Sequence, residues 1–502
     1  MDMTKKLLLS VIMLIITNRW ANAQDIPAKL DSLFNYQYTS RQLIGNVLVA
    51  EDGKVLYQKS FGYADIPNKI PNNDQSIFEI GSISKTLTST AILQLVQKKK
   101  IGLNDPYKKY FPGFPYPDIT IRNLLSHTSG LPRDRSDVFD TLRKIQPERM
   151  FDYHDILPAL EKYHRPLIFK PGDKWAYSNI GYNLLAVLIE KVTNLPFNVY
   201  MKKNIFIPAG MADTYVKTLS DPKNSHLVKG YFHDKHYLNE LKEADPNWEK
   251  GYTLFVGEGY VFSTTPDMLK FDEALYNNKL VSAALLAEAY KPTILNNGQK
   301  AIAEGGGASK LSYGLGWFIL NDTTAGRIVL HSGYNPGVWT IFFRNISKKQ
   351  SVIILSNGEM GRNFERGLNA MNLLNHKHLV ANKLSMAGVY INTLYEQGPD
   401  AAIIRLIQMR SDTANFFYAE GQMNYLANEL LDNGFTDKGL EASKITVLMT
   451  PTAAWLYKAY GDLLLKADKK QDAVKMYKKT LALKPDDKGA KEALMKLGEK
   501  EH

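Results

Sequence analysis

Cysteine is absent from the 502-residue chain. Disulfides, a thiol nucleophile, cysteine-ligated zinc and a lipid-modified N-terminal cysteine are all excluded. Long apolar runs are scarce. The run Leu7 to Ile16 is shorter than the roughly 20 residues a membrane span needs, and no other follows it. Lys5 and Lys6 precede it, and Ala21-Asn22-Ala23 supplies a small-x-small cleavage site before Gln24, so residues 1–23 read as a secretory signal peptide. The expectation is an exported, periplasmic protein carried across the inner membrane, with no integral membrane segment in the mature chain. Dense basic blocks are missing as well. The net charge of +11 falls to +9 without residues 1–23, and the excess is spread out, which speaks against nucleic-acid binding.

Several catalytic signatures are also lacking. No Gly-x-Ser-x-Gly elbow, phosphate-binding glycine loop or His-Glu-x-x-His zinc helix occurs. His233 and His236 lie in a charged loop without an obvious third ligand, so no metal or other cofactor is expected. What remains is ordinary globular composition, with 44% hydrophobic and 23% charged residues. The length predicts two or more domains.

The chemistry begins at Phe78-Glu79-Ile80-Gly81-Ser82-Ile83-Ser84-Lys85. Ile83, Leu87, Ala91, Leu95 and Val96 recur at helical spacing, predicting a helix from Ser82 with one stripe turned inward. Ser82 and Lys85 are one turn apart on a shared face. A hydroxyl there meets free backbone N–H donors, beside an amine that can take its proton once burial removes its charge. Alone, Ser82 reads first as a plain helix cap, and the second Ser-x-x-Lys, Ser220 to Lys223, contains a proline that suits a turn.

Helices are predicted at Ile26–Tyr38, Thr120–Leu125 and Tyr182–Val192, and after Ser263-Thr264-Thr265-Pro266. Leu43–Ala50 and Lys54–Phe61 read as a hairpin around Asp52-Gly53. Tyr313–Leu320, Arg327–Leu330, Val338–Arg344 and Ser351–Leu355 read as an antiparallel meander. Tyr177 and Asn179 stand just before a buried helix, where a tyrosine serves as a base if nearby cations lower its pKa. His127, in Ser126-His127-Thr128-Ser129-Gly130, invites a Ser–His reading, but such polar clusters usually make turns. From about Thr393 the pattern turns helical. Pro451 and Pro485 are 34 apart, as are Leu430 and Leu464, and Gly439 and Ala473, which is the tetratricopeptide period.

Taken together, Ser82-Ile83-Ser84-Lys85, Tyr177-Ser178-Asn179 and His331-Ser332-Gly333 resemble the serine β-lactamase-like superfamily, in its class C β-lactamase, D-aminopeptidase and esterase branch. Leu124 to Pro132 and Tyr313-Gly314-Leu315-Gly316-Trp317 add to the resemblance, which covers about residues 27–375. It implies an α/β sandwich with a five-stranded antiparallel sheet flanked by helices, in a domain spanning 24–380. A linker or helical connection at 381–410 and an all-α tetratricopeptide-like region at 411–502 would follow. Ser82 would be the acylated nucleophile, with Lys85 and Tyr177 sharing the proton work and Asn179 orienting substrate or Lys85. His331 and Gly333 would form one wall, and the backbone N–H groups of Ser82 and Tyr334 the oxyanion hole.

The implied reaction is metal-free acyl transfer to water on a small ester, amide or peptide. A weak β-lactamase or cell-wall D-Ala peptidase is the alternative; a non-catalytic sensor using its repeats to bind a peptide or protein is a third reading. One departure matters: β-lactamases carry Lys-Thr-Gly where this chain has His331-Ser332-Gly333, so the cation that holds a β-lactam carboxylate is replaced by an imidazole.

Overall fold

The strand sequences are apolar at nearly every position, as in Val47-Leu48-Val49-Ala50 and Val352-Ile353-Ile354-Leu355. Successive side chains point to opposite faces, so such strands need a layer of structure on each side. The computed structural model describes residues 26–220, 224–235, 237, 241–245, 251–303, 311–358, 363–380 and 383–499. The expected signal peptide, Lys223 and His236 lie outside the described residues. Contacts divide the chain into two units: residues up to Phe232 with Glu243–Val380, and His233–Lys242 with Ala381 onward.

In the first unit the helices that matter for the site are α1 (26–39), α2 (Ser84–Gln97), α3 (Ile121–Leu125), α4 (Arg135–Ile145), α5 (Asn179–Thr193), α6 (Thr265–Tyr276) and α7 (Asn363–Leu374). The sheet comprises β1 (Gly45–Glu51), β2 (Lys54–Phe61), β3 (Ile302–Ala303), β4 (Leu311–Tyr313), β5 (Phe318–Leu320), β6 (Ile328–Asn335), β7 (Val338–Asn345) and β8 (Gln350–Ser356). It is antiparallel in the order β3-β4-β5-β6-β7-β8-β1-β2. That makes eight strands among the described residues where five were expected. Asp52 and Gly53 both have positive φ, the requirement of the tight β1–β2 turn.

The alternation builds the sandwich. Leu48, Phe342, Ile353 and Leu355 face α2, α5 and the rest of the helical lobe. Val47, Val49, Ile341, Phe343, Val352 and Ile354 face Leu30 and Phe34 of α1 and Leu368 and Met371 of α7. Each fully buried aliphatic side chain contributes about 1.5–3 kcal/mol. A buried ion pair of Arg344 on β7 with Asp272 on α6, completed by the Ser351 hydroxyl, fastens helix to sheet.

Two local readings are corrected. Tyr313–Leu320 is not one strand but the β4–β5 hairpin. A Cβ on Gly314 would stand 2.1 Å from the Ala289 carbonyl oxygen, and one on Gly316, at φ +85°, 2.5 Å from the Ser89 Cβ. These glycines let the turn press onto the Ala289 backbone on one side and onto α2 on the other. Helix α2 itself has no solvated stripe: Ser84 to Leu95 are all buried. Its hydroxyl face enters the core because its groups find backbone partners, as Thr88 does at the Gly257 carbonyl (2.7 Å), Ser89 at the Leu315 carbonyl (2.7 Å) and Ser84 at the Val261 amide (3.3 Å).

The second unit is all helix apart from short bridging strands. Helices α8 (Met386–Gln397), α10 (Glu420–Asp432), α12 (Ala454–Lys466) and α14 (Lys488–Lys496) begin 34 residues apart, and α9 (Pro399–Ser411), α11 (Thr436–Met449) and α13 (Lys470–Leu483) alternate with them. Within the stretch 381–410, expected as a linker or helical connection, α8 and α9 form a helix pair whose Tyr390, Ile391, Leu394, Ala402 and Leu406 enter the common core. Small residues set the closest approaches: a Cβ on Gly461 would lie 2.7 Å from the Tyr477 ring.

Candidate active site

Ser82 sits in a 3₁₀ turn, Gly81–Ile83, and the α-helix proper begins two residues later than expected, at Ser84. Gly81 has φ +52°, and a Cβ there would be 2.8 Å from the Tyr334 nitrogen. From the other side, a Cβ on Gly333 would be 2.0 Å from the Ile80 carbonyl oxygen, which also accepts from the Thr340 hydroxyl (2.9 Å). The serine turn and β6 therefore run backbone against backbone at two glycines. This contact brings the segments carrying the Ser82 and Tyr334 amides side by side.

Lys85 is wholly buried. Its Nζ donates to Ser82 Oγ (3.0 Å) and to the Glu258 carbonyl (2.9 Å), and lies 3.8 Å from the Glu258 carboxylate. Burial pulls the lysine down to about 8, with Glu258 and Asp134 opposing and Arg135 and Arg133 assisting. The second Glu258 oxygen accepts from Arg135 Nη1 at 2.5 Å. The segment is pinned in place: Asn183 on α5 donates to the carbonyls of Phe255 (3.0 Å) and Val256 (2.9 Å). At Gly257, φ is +92° and a Cβ would meet the Tyr182 carbonyl at 2.3 Å.

The Tyr177 phenol feels the Ser82 hydroxyl, which lowers its pKa, and Lys85 Nζ lies 4.9 Å from its ring centroid. The expectation of a lowered tyrosine pKa is corrected: burial of the phenol outweighs its cationic neighbours and raises it. Ser178 caps α5 through its hydroxyl, which accepts from Gly181 N (3.3 Å) and donates to the Pro132 carbonyl (2.6 Å). Asn179 does not hold Lys85. Its Nδ2 donates to Asp134 (2.9 Å), and its buried Oδ1 accepts nothing among the described residues.

His331 is buried on β6. Its Nδ1 lies 2.7 Å from the Ser332 carbonyl, which requires a proton there, so Nε2 accepts from the Tyr313 hydroxyl at 3.2 Å. Burial, with Lys85 nearby, lowers its pKa to about 3. The imidazole is therefore neutral at physiological pH. The β5–β6 pairing ends at Phe318↔Leu330, so among the described residues His331 to Asn335 pair only with β7 and leave an edge beside Ser82. Ser82, Tyr177, Asn179, Glu258, His331 and Tyr334 line one cavity of about 750 Å³, with Trp175 and Phe318 on its walls.

Residues 30–375 match the Beta-lactamase family. Penicillin-binding protein 4* of Bacillus subtilis (strain 168) is 37% identical over 345 residues, 68% of this chain and 73% of that protein. The chain belongs to the β-lactamase family. The octameric penicillin-binding protein homologue from Pyrococcus abyssi superposes with a TM-score of 0.60 at 25% identity, over 70% of this chain and 78% of that one. D-amino acid amidase from Ochrobactrum anthropi SV3 shares the fold, with a TM-score of 0.55 at 23% identity over 70% and 97%.

Of the residues singled out from sequence in this family frame, Ser82, Lys85, Tyr177, Asn179, His331, Gly333 and Tyr334 all converge on the Ser82 turn or its cavity. Sequence reasoning missed Glu258 and Arg135. The available signal was a glutamate flanked by two glycines, Gly257 and Gly259, in a stretch otherwise apolar. His127 makes no hydrogen bond to Ser82 among the described residues; it adopts a left-handed turn conformation (φ +57°) behind Tyr177. No helix of the described residues is long and apolar enough to cross a membrane, and they hold no cluster of metal-ligating side chains.

Proposed function

We propose that the protein is an exported serine hydrolase that cleaves small esters, amides or peptides through an acyl-enzyme on Ser82. The observation that carries this reading is Lys85, buried, lowered to about 8 and 3.0 Å from the Ser82 hydroxyl. A lysine in that state is a base within reach of the proton it must take. Tyr177, pushed the other way, is the acid of the pair.

In the first step Lys85 accepts the Ser82 proton as Oγ attacks the carbonyl, and the Ser82 and Tyr334 amides receive the oxyanion. Tyr177 donates its proton to the departing alcohol or amine. This leaves an acyl-serine beside a Lys85 ammonium and a Tyr177 phenolate, which stabilise each other. In the second step the phenolate takes a proton from water, hydroxide adds to the acyl carbon, and Lys85 returns its proton to Ser82. Atoms and charges are restored without a metal. The Asn179 Oδ1 accepts an N–H of the substrate.

A neutral His331 offers no charge to a carboxylate, which favours neutral esters and amides over β-lactams by the value of a charge-assisted contact, about 1.5–3 kcal/mol. Penicillin binding is the second reading, favoured by the 37% identity to penicillin-binding protein 4*. We assign the helical unit as a tetratricopeptide-like array for a peptide or protein partner, on its helix starts every 34 residues.

Turnover of p-nitrophenyl butyrate, a D-amino-acid amide and nitrocefin, each with a Ser82→Ala control, tests the assignment. The ester or amide should exceed nitrocefin, and all serine-dependent turnover should vanish in the control. Turnover that survives in Ser82→Ala removes the assignment.

A further inference from the structure

His127 carries no role in the acyl-transfer scheme, yet three separate contacts join it to the segment bearing Tyr177. The Ala176 amide donates to the His127 carbonyl at 3.0 Å. The Ser178 amide donates to the His127 ring nitrogen Nδ1 at 3.1 Å. Between them, the His127 and Tyr177 ring centroids are 4.2 Å apart. The amides of the residues on either side of Tyr177 are thus both tied to one residue, and the tyrosine ring lies against that residue's side chain.

The anchor is itself rigid. His127 is fully buried and holds φ +57° in the loop after α3. There the Thr128 amide bonds the Asn123 carbonyl (3.0 Å) and the Ser126 and Thr128 hydroxyls meet at 2.9 Å. Tyr182 and Tyr313 close the box, with ring centroids 5.2 Å and 4.7 Å from the imidazole.

The ring's protonation is dictated by these contacts. Nδ1 accepts the Ser178 amide only if it bears no proton, so the neutral ring must carry its hydrogen on Nε2. Nε2 is buried and has no hydrogen-bond partner among the described residues. The ring therefore leaves a buried donor unsatisfied while keeping Nδ1 as acceptor. The charged groups facing it are Lys85 and Arg133, both of which oppose an imidazolium, with His331 beyond.

We infer that His127 is a positioning residue: it clamps the Tyr177 segment through the Ser178 amide and so holds the tyrosine in the Ser82 cavity. This rests on the reading of Tyr177 as the proton-transfer partner of Ser82. A displacement of the order of 1 Å in such a group costs about a hundredfold in rate. Asparagine places an Oδ1 where His127 has Nδ1, whereas phenylalanine keeps the ring and loses the acceptor.

The test compares wild type, His127→Phe and His127→Asn in three readouts: kcat and KM on p-nitrophenyl butyrate, hydrogen exchange of the Ser178 amide, and ¹⁵N spectra of the wild-type imidazole. His127→Phe should lower kcat about a hundredfold with KM within about threefold, and should lose Ser178 protection. His127→Asn should recover both, with kcat within about tenfold of wild type. The wild-type ring should show an unprotonated Nδ1 and a protonated Nε2. Unchanged kcat and protection in His127→Phe would overturn the inference, as would an Asn variant no better than Phe. If neither variant folds, an Nδ1–H tautomer in the wild type still overturns it. A wild type that turns over no ester refutes the hydrolase reading instead, and leaves the exchange and tautomer results to decide the clamp.

Discussion

The Glu258 carboxylate stands 3.8 Å from the Lys85 nitrogen while its other oxygen is held by Arg135 at 2.5 Å. An anion beside a buried amine favours the ammonium, and the arginine partly cancels that effect. The pair therefore sets where Lys85 becomes a base. Glu258→Gln should move the acid limb of kcat/KM down from near pH 8 by about one unit. Arg135→Gln should move it up, because the carboxylate then acts undiluted. A pH–rate series on one neutral ester checks both signs, and shifts in the same direction would contradict the arrangement.

Lys85 also costs stability. Its folded pKa of about 8 lies below the ordinary 10.5, so the unfolded chain binds the extra proton between those values. The cost grows as pH falls from 10.5 to 8 and is complete below, at about 3 kcal/mol. Lys85→Met should abolish turnover and raise the unfolding midpoint relative to wild type more at pH 7 than at pH 10. Thermal unfolding at the two pH values measures the difference; an equal shift at both would show that Lys85 is not strained by burial.

His331 stays neutral down to about pH 3. The preference for a neutral ester over nitrocefin should thus be flat between pH 5.5 and 7.5 once both rates are corrected for Lys85. A nitrocefin gain on acidification, centred near the ordinary imidazole value of about 6.5, would mean that His331 meets the carboxylate as a cation.

Gly333 packs against the serine turn where no side chain fits: a Cβ there would stand 2.0 Å from the Ile80 carbonyl oxygen. Gly333→Ala should part β6 from Gly81 and reduce acylation by about a hundredfold or more, since an oxyanion donor is lost with it. Pre-steady-state acylation with p-nitrophenyl butyrate reads this, and a rate within fivefold of wild type would place the oxyanion donors elsewhere.

In the helical unit Tyr237 is buried, its ring 5.1 Å from Tyr395 and 5.6 Å from Phe435. Truncating it opens a cavity costing about 3–5 kcal/mol. Tyr237→Ala should lower the midpoint of the transition assigned to that unit by calorimetry and leave ester turnover unchanged.

Legibility followed contact range. Ser82 and Lys85 are readable because three residues of helix place them together, and Tyr177 and Asn179 because they announce the start of α5. Glu258 reaches Lys85 across 173 residues through an approach that only Gly257 hints at, so no local pattern announces it. The β4–β5 turn was hidden because Gly314 and Gly316 are needed for contacts to Ala289 and Ser89, not for strand or helix periodicity. Helices α8 and α9 were read only as a linker or helical connection because the buried residues of α8, Met386, Ala387, Tyr390, Ile391 and Leu394, fall out of the 34-residue phase of Met423, Leu426, Ala427 and Leu430 in α10. The full neutrality of His331 could not be read locally either, because burial and the nearby Lys85, both products of the fold, decide it.

The central claim is that Ser82 is acylated with Lys85 as its base. Intact-mass analysis of the full chain with a fluorophosphonate between pH 6 and 9 tests it most directly. Wild type should carry one adduct and Ser82→Ala none, with labelling that accelerates through about pH 8 as Lys85 loses its proton. Labelling that persists in Ser82→Ala, or a wild-type rate that does not change across this range, would contradict it.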